Sequence, residues 1–451
     1  MLMAVVVAVV LAAMLGACSE DRAQGAGAEA DATAGGAEGG ASASSASDTT
    51  DDCTPDTLLD CARVSSISAL VPDEPVTASG EPIVLGMINQ ENTPVGSFPE
   101  LSRGVQAAIE FVNTQLGGLD GRPLQLEVCN TNFSAEGSTA CGQQFVAAEV
   151  PVVLGGIDVF GNGIDVLADN DVPYAGGIPI SAQSVTSPNS FQWSGGTWGA
   201  TIAFASYAVQ ELGATSAAIV YGDFGSVADA AEYGRRTFEE LGVDDVTMVP
   251  FPIVSTDLAA PIQVAASAEP DVMIALTADT GCAAAFEGVS TAAPDVPAFY
   301  TGACAAPSIT DRAGPERTEG AIFNVEGPID RTNGTPDTAL YDAVIEAYGD
   351  GLDPIGAATV SFRSFMNLYV VLAAIVDEAG VEGIDPGSVT TALRSQVDAT
   401  SFMGHPYTCD GRQLEGLPAM CSPQQILAEL RDGQLEQIGT WVDVGAIYGA
   451  G

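Results

Sequence analysis

The sequence predicts an α/β protein with two doubly wound lobes, each a parallel sheet covered by helices on both faces. Three observations lead to this prediction. From about residue 81, short apolar runs rich in β-branched residues alternate with helical runs, and a second such set begins near residue 196. After about residue 320 the order changes, and long helical runs precede short strands. The 451 residues are enough for two domains with cores of their own.

The first set opens with the strand PIVLGMI (82–88) and a helix that ends at Gly117 and Gly118. The apolar residues of that helix share one face: Leu101, Val105, Ile109, Val112 and Leu116. The remaining elements follow in order: strand PLQLEVCN (123–130), helix 138–149, strand PVVLGG (151–156), a short helix near 163–169 and VPYAGG (172–177). Strands and helices alternate throughout this set, as in a parallel sheet.

The second set repeats the alternation: helix 197–214, strand 216–223, helix 227–241, strand VTMVPFPI (246–253), helix 257–268, strand 271–277, helix 282–291 and PAFYTGA (297–303). A strand in GAIFNVEGP (320–328) and helices over 338–349 and 357–380 come next. The last helix is apolar enough to resemble a membrane span, but Arg363 and Asn367 interrupt it. We therefore interpret it as a buried helix that packs the lobes. Residues 402–447 end in short strands with a hairpin-like loop clipped by cysteines.

The charge balance is strongly acidic. The chain has 59 Asp plus Glu against 13 basic residues, all of them arginine, and its formal net charge is −46. Nucleic-acid binding needs a basic surface, so this composition excludes it. The same charge keeps a protein soluble and suits salty surroundings. Habitat is a simpler source of this acidity than a cationic partner, which stays open as the alternative.

The N-terminus resembles a bacterial lipoprotein signal. Residues 4–15 form an apolar run that is too short to span a bilayer and has the length of a signal-peptide core. The run ends in Leu15-Gly16-Ala17-Cys18, which resembles the lipobox, whose cysteine is lipidated and becomes the first mature residue. We expect residues 1–17 to be the signal peptide and Cys18 to carry the lipid. The usual basic residues before the run are missing, and an upstream start would explain that.

The stretch after Cys18 predicts a flexible tether. Residues 19–52 are mostly Ala, Gly and Ser with scattered acids, and they contain no large apolar side chain that could form a core. We expect residues 18–80 to act as an acidic tether that carries a small Cys53/Cys61 loop. A buried core cysteine is the alternative interpretation of Cys18.

Eight further cysteines predict disulfides, because an even number in an exported protein is typical of a disulfide framework. They cluster as local pairs along the chain. We predict four bonds: Cys53–Cys61, Cys129–Cys141, Cys282–Cys304 and Cys409–Cys421. Each would close a short loop and contribute roughly 2–4 kcal/mol in the chain-entropy model. A zinc site is a weak alternative, because the chain has no C-x-x-C motif and only one histidine, His405.

The order of elements resembles the leucine/isoleucine/valine type of periplasmic binding protein. The opening IVLGMINQENTPVGSFPELSRGVQAAIEFVNTQLGGLDGRPLQLEVCNT is similar to the start of that family, and its most specific piece is the string GGLDGRPL at 117–124. The segments VPVVLGG, IVYGDFG and EPDVMIAL fit the same template, so the resemblance covers roughly residues 82–445.

The resemblance implies two lobes joined by three crossovers in a type I periplasmic binding protein fold. The first lobe would take 82–195 and 322–400, and the second 196–321 and 402–447. Together with the lipobox-like N-terminus, we expect a monomer that is anchored by lipid to the outer face of the cell membrane. This protein would capture a small solute, such as an amino acid or an amide, and deliver it to an ABC permease. No cofactor or metal is implied.

A ligand site is predicted where the strands of each open parallel sheet end, because loops and helix N-termini supply unpaired N–H groups there. These ends fall at 89–91, 155–160, 175–178, 223–224, 277–280 and 302–304. From them we predict ligand contacts at Asn89, Gln90, Asp158, Phe160, Gly177, Ile178, Phe224, Thr277, Asp279 and Ala303. Ordinary turn chemistry explains each glycine equally well. A Cys282–Cys304 bond would clip two of these loops and rigidify the mouth of the cleft, unless both thiols proved free in oxidised, folded protein.

The amino-acid binders of the family hold the ligand carboxylate with first-lobe hydroxyl and N–H donors and meet its ammonium with a second-lobe acid. Here Gly177-Ile178-Pro179 lacks that hydroxyl, and Phe224 stands where the family often has Tyr. Asp279 could meet an ammonium or cap a helix, and Asp158 leaves the same two interpretations open. These departures count against a standard branched-chain amino acid. Trp193 and Trp198 flank the first crossover, where either could pack or wall the cleft.

An enzyme and a sensing module are the alternatives to solute capture. A serine hydrolase would need His405 as its base, but no G-x-S-x-G elbow is present. Neither a P-loop nor a G-x-G-x-x-G turn opens a helix after a strand. We therefore predict no enzymatic activity. A sensing module of the same fold, coupled to a receptor or kinase, remains the alternative to transport.

Overall fold

The computed structural model describes residues 53–93, 96–253, 255–325, 334–354 and 356–448. The predicted signal peptide, Cys18 and residues 19–52 of the predicted tether lie outside the described residues.

Residues 53–80 correct the predicted tether, because they fold against the first lobe. Helix α1 (Leu58–Val64) buries Leu58 and Leu59, and Ile67 follows them into the same core. The N–H of Ser66 donates to Oδ1 of Asp337 over 2.6 Å, which ties this segment to a distant helix. The prediction failed because these three apolar side chains are scattered among many polar residues.

The first sheet is parallel throughout and has the strand order β2-β1-β3-β4-β5. Its strands are β1 (Ile83–Asn89), β2 (Leu124–Asn130), β3 (Val153–Gly155), β4 (Tyr174–Ala175) and β5 (Ser190–Phe191). The helices between them are α2 (Pro99–Gln115), α3 (Ala135–Ala147), α4 (Asn162–Asp169) and α5 (Ala182–Thr186). α2 begins with proline, whose fixed φ suits the first helical turn, and buries its apolar stripe against the sheet.

The second set of elements follows in chain order: α6 (Gly196–Gln210), β6 (Ser216–Gly222), α7 (Gly225–Glu240), β7 (Asp245–Phe251), α8 (Ala259–Ala266), β8 (Val272–Leu276), α9 (Asp279–Ala292), β9 (Ala298–Tyr300), α10 (Pro307–Ala313), α11 (Pro315–Thr318) and β10 (Ile322–Val325). Three helices come next: α12 (Pro336–Tyr348), α13 (Ala357–Ala379) and α14 (Pro386–Arg394). The chain then adds β11 (Gln425–Arg431), β12 (Gln434–Val442) and the short α15 (Gly445–Tyr448).

The second sheet has the order β12-β11-β10-β9-β8-β6-β7. β6 to β10 are parallel, whereas β11 and β12 form an antiparallel hairpin that extends the β10 edge. The described elements therefore form two open, doubly wound sheets in one chain, as the sequence predicts.

The lobe boundaries differ from the prediction at two places. β10 pairs with β9 and β11 in the second sheet, so the chain returns to the first lobe after Val325 and not at residue 322. Phe402, Met403 and Tyr407 pack in the first core, so the second-lobe segment begins after Cys409 and not at residue 402. Both errors arise because an apolar run predicts a strand or a core position without saying which core receives it.

The long apolar helix α13 is a core helix. It is the one described helix long and apolar enough to cross a membrane, but 78% of its most apolar window is buried inside the protein. The Arg363 guanidinium donates to the carbonyl of Trp193 over 3.2 Å, and the Asn367 amide bonds to Ser401 and Phe402. These polar side chains fasten the helix to neighbouring loops, as the interpretation of a buried packing helix requires.

The four predicted disulfides are confirmed: Cys53–Cys61, Cys129–Cys141, Cys282–Cys304 and Cys409–Cys421. Cys282 lies in α9, and Cys304 lies in a 3-10 turn (Gly302–Ala305) that follows β9. This bond therefore joins the segments that leave the ends of β8 and β9, where a second-lobe ligand contact was predicted.

Candidate functional site

The carboxyl ends of the two parallel sheets meet in the structure, and we call the space between these two edges the cleft. The ring of Phe160 follows β3 in the first lobe, and that of Phe224 follows β6 in the second. Their centroids are 5.8 Å apart with the rings nearly perpendicular, so the two edges touch at this point.

Phe133 extends this contact within the first lobe, because its ring centroid lies 5.4 Å from that of Phe160. Phe133 has a positive φ of 51° and lies three residues after the end of β2. It was not among the predicted ligand contacts, although the rule that located Phe160 also applies to the end of β2. Three half-buried rings thus line one part of the cleft.

Asn89, at the end of β1, is fully buried and holds the first-lobe edge together. Its amide donates to Oε1 of Glu91 over 3.0 Å and to the carbonyl of Phe98 over 2.8 Å. Its Oδ1 accepts from the N–H of Ile157 over 3.0 Å, which links the ends of β1 and β3. Asn89 is therefore a positioning residue whose hydrogen bonds are already made inside the protein.

Gln90 differs from Asn89 because part of its side chain lacks a partner. The side chain is 1% exposed, and Nε2 donates to the carbonyl of Gly96 over 3.0 Å. Oε1 has no hydrogen-bond partner among the described residues. Buried polar atoms are nearly always satisfied, so this oxygen is a candidate ligand acceptor.

Asp158 fastens the starts of two helices. The carboxylate is 3% exposed; Oδ2 accepts from the Ser138 hydroxyl over 2.7 Å, and Oδ1 accepts from the N–H of Gly161 over 3.1 Å. Burial raises the pKa of Asp158, and the hydrogen bonds from Ser138 and Gly161 oppose that rise. The N-cap of α4 is Gly161, so Asp158 is not itself a cap; its two oxygens instead tie the loop before α4 to α3.

Gly177 and Ile178 form part of the first-lobe edge through their backbones. Gly177 has φ of 87°, and a Cβ there would lie 2.5 Å from the carbonyl carbon of Gly155. The N–H of Ile178 donates to the carbonyl of Gly156 over 3.1 Å. The close approach of the loops after β3 and β4 therefore requires glycine at 177.

Asp279 is the first residue of α9, and the preceding Ala278 is its N-cap. The interpretation of Asp279 as an N-cap is thus wrong, because α9 begins at residue 279, three residues before the predicted start. Among the described residues, the adjacent N–H of Thr280 is the donor to Oδ1 of Asp279, over 2.8 Å. The carboxylate remains half-buried at the cleft side of the second sheet.

Thr277 and Ala303 lie at the same edge but present fewer groups for hydrogen bonding to a ligand. The Thr277 hydroxyl donates to the carbonyl of Ala278 over 3.2 Å, and the Thr277 carbonyl accepts from the hydroxyl of Thr301 over 3.3 Å. Ala303 is exposed within the 3-10 turn after β9 and has no polar side-chain atom. A ligand could contact Ala303 only through its backbone or methyl group.

Two glutamates in the cleft were not predicted as site residues. Glu91 accepts hydrogen bonds through Oε1 from Asn89 and, over 2.6 Å, from the hydroxyl of Ser102. Burial raises the pKa of Glu100, and repulsion from Glu91 and from Asp279 of the second lobe raises it further. The charges of Glu91 and Asp279 thus both disfavour ionisation of Glu100.

The remaining candidates have structural roles or lie elsewhere. Trp193 and Trp198 are both buried in cores, Trp193 against the ring of Tyr407. His405 contacts the carbonyl of Pro406 and the ring of Trp441. In the described part of the chain, no three His, Cys, Asp or Glu side chains are grouped to hold a metal ion. Two surface grooves lie away from the cleft, one at the amino ends of β1 and β3 and one beside α1.

Comparisons with known proteins support the same fold. A family model described as periplasmic binding protein matches residues 82–417. Curated proteins gave no match. The leucine binding protein LivK of Thermotoga maritima is similar in structure, with a TM-score of 0.64, 16% identity and coverage of 80% of this chain and 98% of that one.

Two further solved structures carry ligands. LivJ of Streptococcus pneumoniae, in complex with isoleucine, has a TM-score of 0.65 and 14% identity over 80% of this chain and 99% of that chain. A solute binding protein of an ABC transporter from Rhodopseudomonas palustris HaA2, in complex with p-hydroxybenzoic acid, has a TM-score of 0.65 and 19% identity over 80% and 98%. At these identities the likeness is one of fold.

Proposed function

The chain belongs to the periplasmic binding protein family, and from this premise we propose that it captures a small solute in the cleft and delivers it to an ABC permease. Family membership implies an extracytoplasmic location, and the expected lipid on Cys18 would keep the protein, as a monomer, at the outer face of the cell membrane. The long stretch between Cys18 and the first described helix would let the folded body reach the permease.

One observation carries the proposal: the edges at the carboxyl ends of the parallel strands of the two sheets touch across the cleft. The Phe160–Phe224 contact joins lobes that are otherwise separate sheets with separate cores. A solute that binds both edges would favour the closed form by the difference in its affinity for the closed and open forms. A permease could then distinguish loaded from empty protein by shape.

The class of solute is an amino acid, an amide or a similar small molecule. The isoleucine and p-hydroxybenzoic acid complexes belong to other proteins of this fold. In this chain the 177–179 loop offers no hydroxyl, and aromatic side chains line part of the cleft. These features support a solute other than a standard branched-chain amino acid.

A thermal-shift screen of the mature soluble body tests the proposal. The panel contains amino acids, amides, small carboxylates and urea-like compounds. A ligand at 100 times its Kd should stabilise the protein by about 2.7 kcal/mol. The Phe224→Ala variant, which removes the second-lobe ring, should weaken the response to a true cleft ligand. Absence of stabilisation by every class, together with hydrolysis of any of them without ATP, would contradict the binding role.

A further inference from the structure

We propose that residues 410–420, which we call the strap, fasten the first lobe to the second and limit how far the cleft can open. The inference rests on the proposed function, because it concerns the lobe movement on which capture of a solute depends. It is tested without a solute, so the result does not depend on which compound binds.

The two ends of the strap lie in the first lobe. Cys409 and Cys421, the residues on either side of it, are bonded to each other and are buried in the first core. The N–H of Cys409 donates to the carbonyl of Gln396 over 3.0 Å, and the N–H of Thr408 donates to the carbonyl of Cys421 over 3.0 Å. The disulfide therefore closes the strap into a covalent loop whose base belongs to the first lobe.

The middle of the strap lies in the second lobe. Leu414, Leu417 and Met420 are 3% exposed or less and pack in the second-lobe core. The N–H of Glu415 donates to the carbonyl of Tyr448 in α15 over 3.1 Å. The chain thus leaves the first core, enters the second and returns to the first before β11 begins.

The strap is also bonded to the first crossover, the segment between β5 and α6. The N–H of Gln192 in this crossover donates to the carbonyl of Ala419 over 2.8 Å, and its carbonyl accepts from the N–H of Cys421 over 2.8 Å. The ring of Trp193 packs against that of Tyr407, with centroids 5.8 Å apart. Two of the segments that connect the lobes are therefore joined to each other and cannot move independently.

These contacts restrict the hinge. Opening of the cleft rotates one lobe against the other about the segments that connect them. A wide rotation would pull the apolar side chains of the strap out of the second core or its cysteine ends out of the first, and either change exposes apolar surface to water. The empty protein therefore stays near its closed form, which favours binding because a larger fraction of the molecules is competent to bind.

Removal of the disulfide at the base of the strap tests the proposal. The variant is Cys409→Ala/Cys421→Ala, and the matched control is Cys129→Ala/Cys141→Ala, which removes a bond between β2 and α3 inside the first lobe. Both bonds have a sequence separation of 12, so the chain-entropy model predicts the same loss of stability for each. The radius of gyration of the mature chain is measured by small-angle scattering without ligand. We expect it to rise in the 409/421 variant and to stay at the wild-type value in the control.

A second pair of variants leaves every disulfide intact. Leu417→Ala removes apolar atoms of the strap from the second-lobe core, and Leu427→Ala removes the same atoms from β11 in that core. Both changes should lower stability, but Leu417→Ala should raise the radius of gyration more. This pair decides the question if a cysteine variant fails to fold.

The outcomes separate the inference from the proposed function. A folded 409/421 variant with the wild-type radius of gyration would overturn the inference, and so would equal expansion of both cysteine variants or of both leucine variants. A compound that stabilises the wild type in the thermal-shift screen should bind the 409/421 variant more weakly than the control. If no compound binds, the proposed function is contradicted, whereas the scattering result still decides whether the strap limits opening.

Discussion

Removal of the Cys282–Cys304 disulfide should loosen the second-lobe edge of the cleft. The bond joins residues separated by 22 positions, which corresponds to about 3.4 kcal/mol in the chain-entropy model. Both cysteines are fully buried. Alanine is therefore a better replacement than serine, which would leave an unsatisfied hydroxyl in the core. Asp279 begins the helix that Cys282 anchors, so the same change should disorder a proposed ligand contact.

The assay is urea unfolding of the Cys282→Ala/Cys304→Ala variant, followed by tryptophan fluorescence because Trp198 lies in the second-lobe core. The matched control is Cys53→Ala/Cys61→Ala, whose separation of 8 corresponds to about 2.5 kcal/mol. The control should lose less stability and should keep the ligand-induced rise in melting temperature. Equal ligand responses in the two variants would refute the argument that the 282–304 bond rigidifies the cleft.

Three further predictions follow from single side chains. Burial raises the pKa of the Glu100 carboxyl, so its contribution to stability is present below its ordinary value of 4.5 and is lost as pH rises through the folded-state pKa. Glu100→Gln should therefore raise the melting temperature at pH 7 and not at pH 3.5, and an equal gain at both would contradict an unfavourable burial of the charged carboxylate. Gly177→Ala should lower the free energy of unfolding by more than about 1 kcal/mol, because alanine at φ of 87° is strained and its Cβ would meet Gly155. Gly213→Ala, which has a positive φ but open space around the new Cβ, should lower it less. Cys18→Ser should abolish incorporation of labelled palmitate and release the protein from membranes, and retention of both would exclude Cys18 as the anchor.

The fold was predictable because each strand and helix carries its own apolar pattern. The sheet to which β10 belongs was not predictable, because the run GAIFNV indicates a strand in either sheet. Its pairing with β9 and β11 in the structure places it in the second sheet. The segment after Cys53 was misjudged for a related reason. Leu58, Leu59 and Ile67 are too few to stand out in a polar stretch, yet all three are buried.

The position of the candidate site was easier to predict than the roles of its individual side chains. The rule that ligands bind at the carboxyl ends of strands located Phe160 and Phe224, which meet in the structure. It did not identify Phe133, whose ring contacts Phe160, since that contact depends on how the loops after β2 and β3 pack. Nor could it distinguish Asn89, whose side chain is fully hydrogen-bonded, from Gln90, whose Oε1 has no partner among the described residues.

The most direct test of the central claim is a crystal structure of the protein with the compound that stabilises it most. The account predicts that this compound lies in the cleft and contacts both the loops after β1 or β3 and the start of α7 or α9. A compound bound in a surface groove away from the cleft, or in contact with one lobe alone in an open protein, would contradict the account.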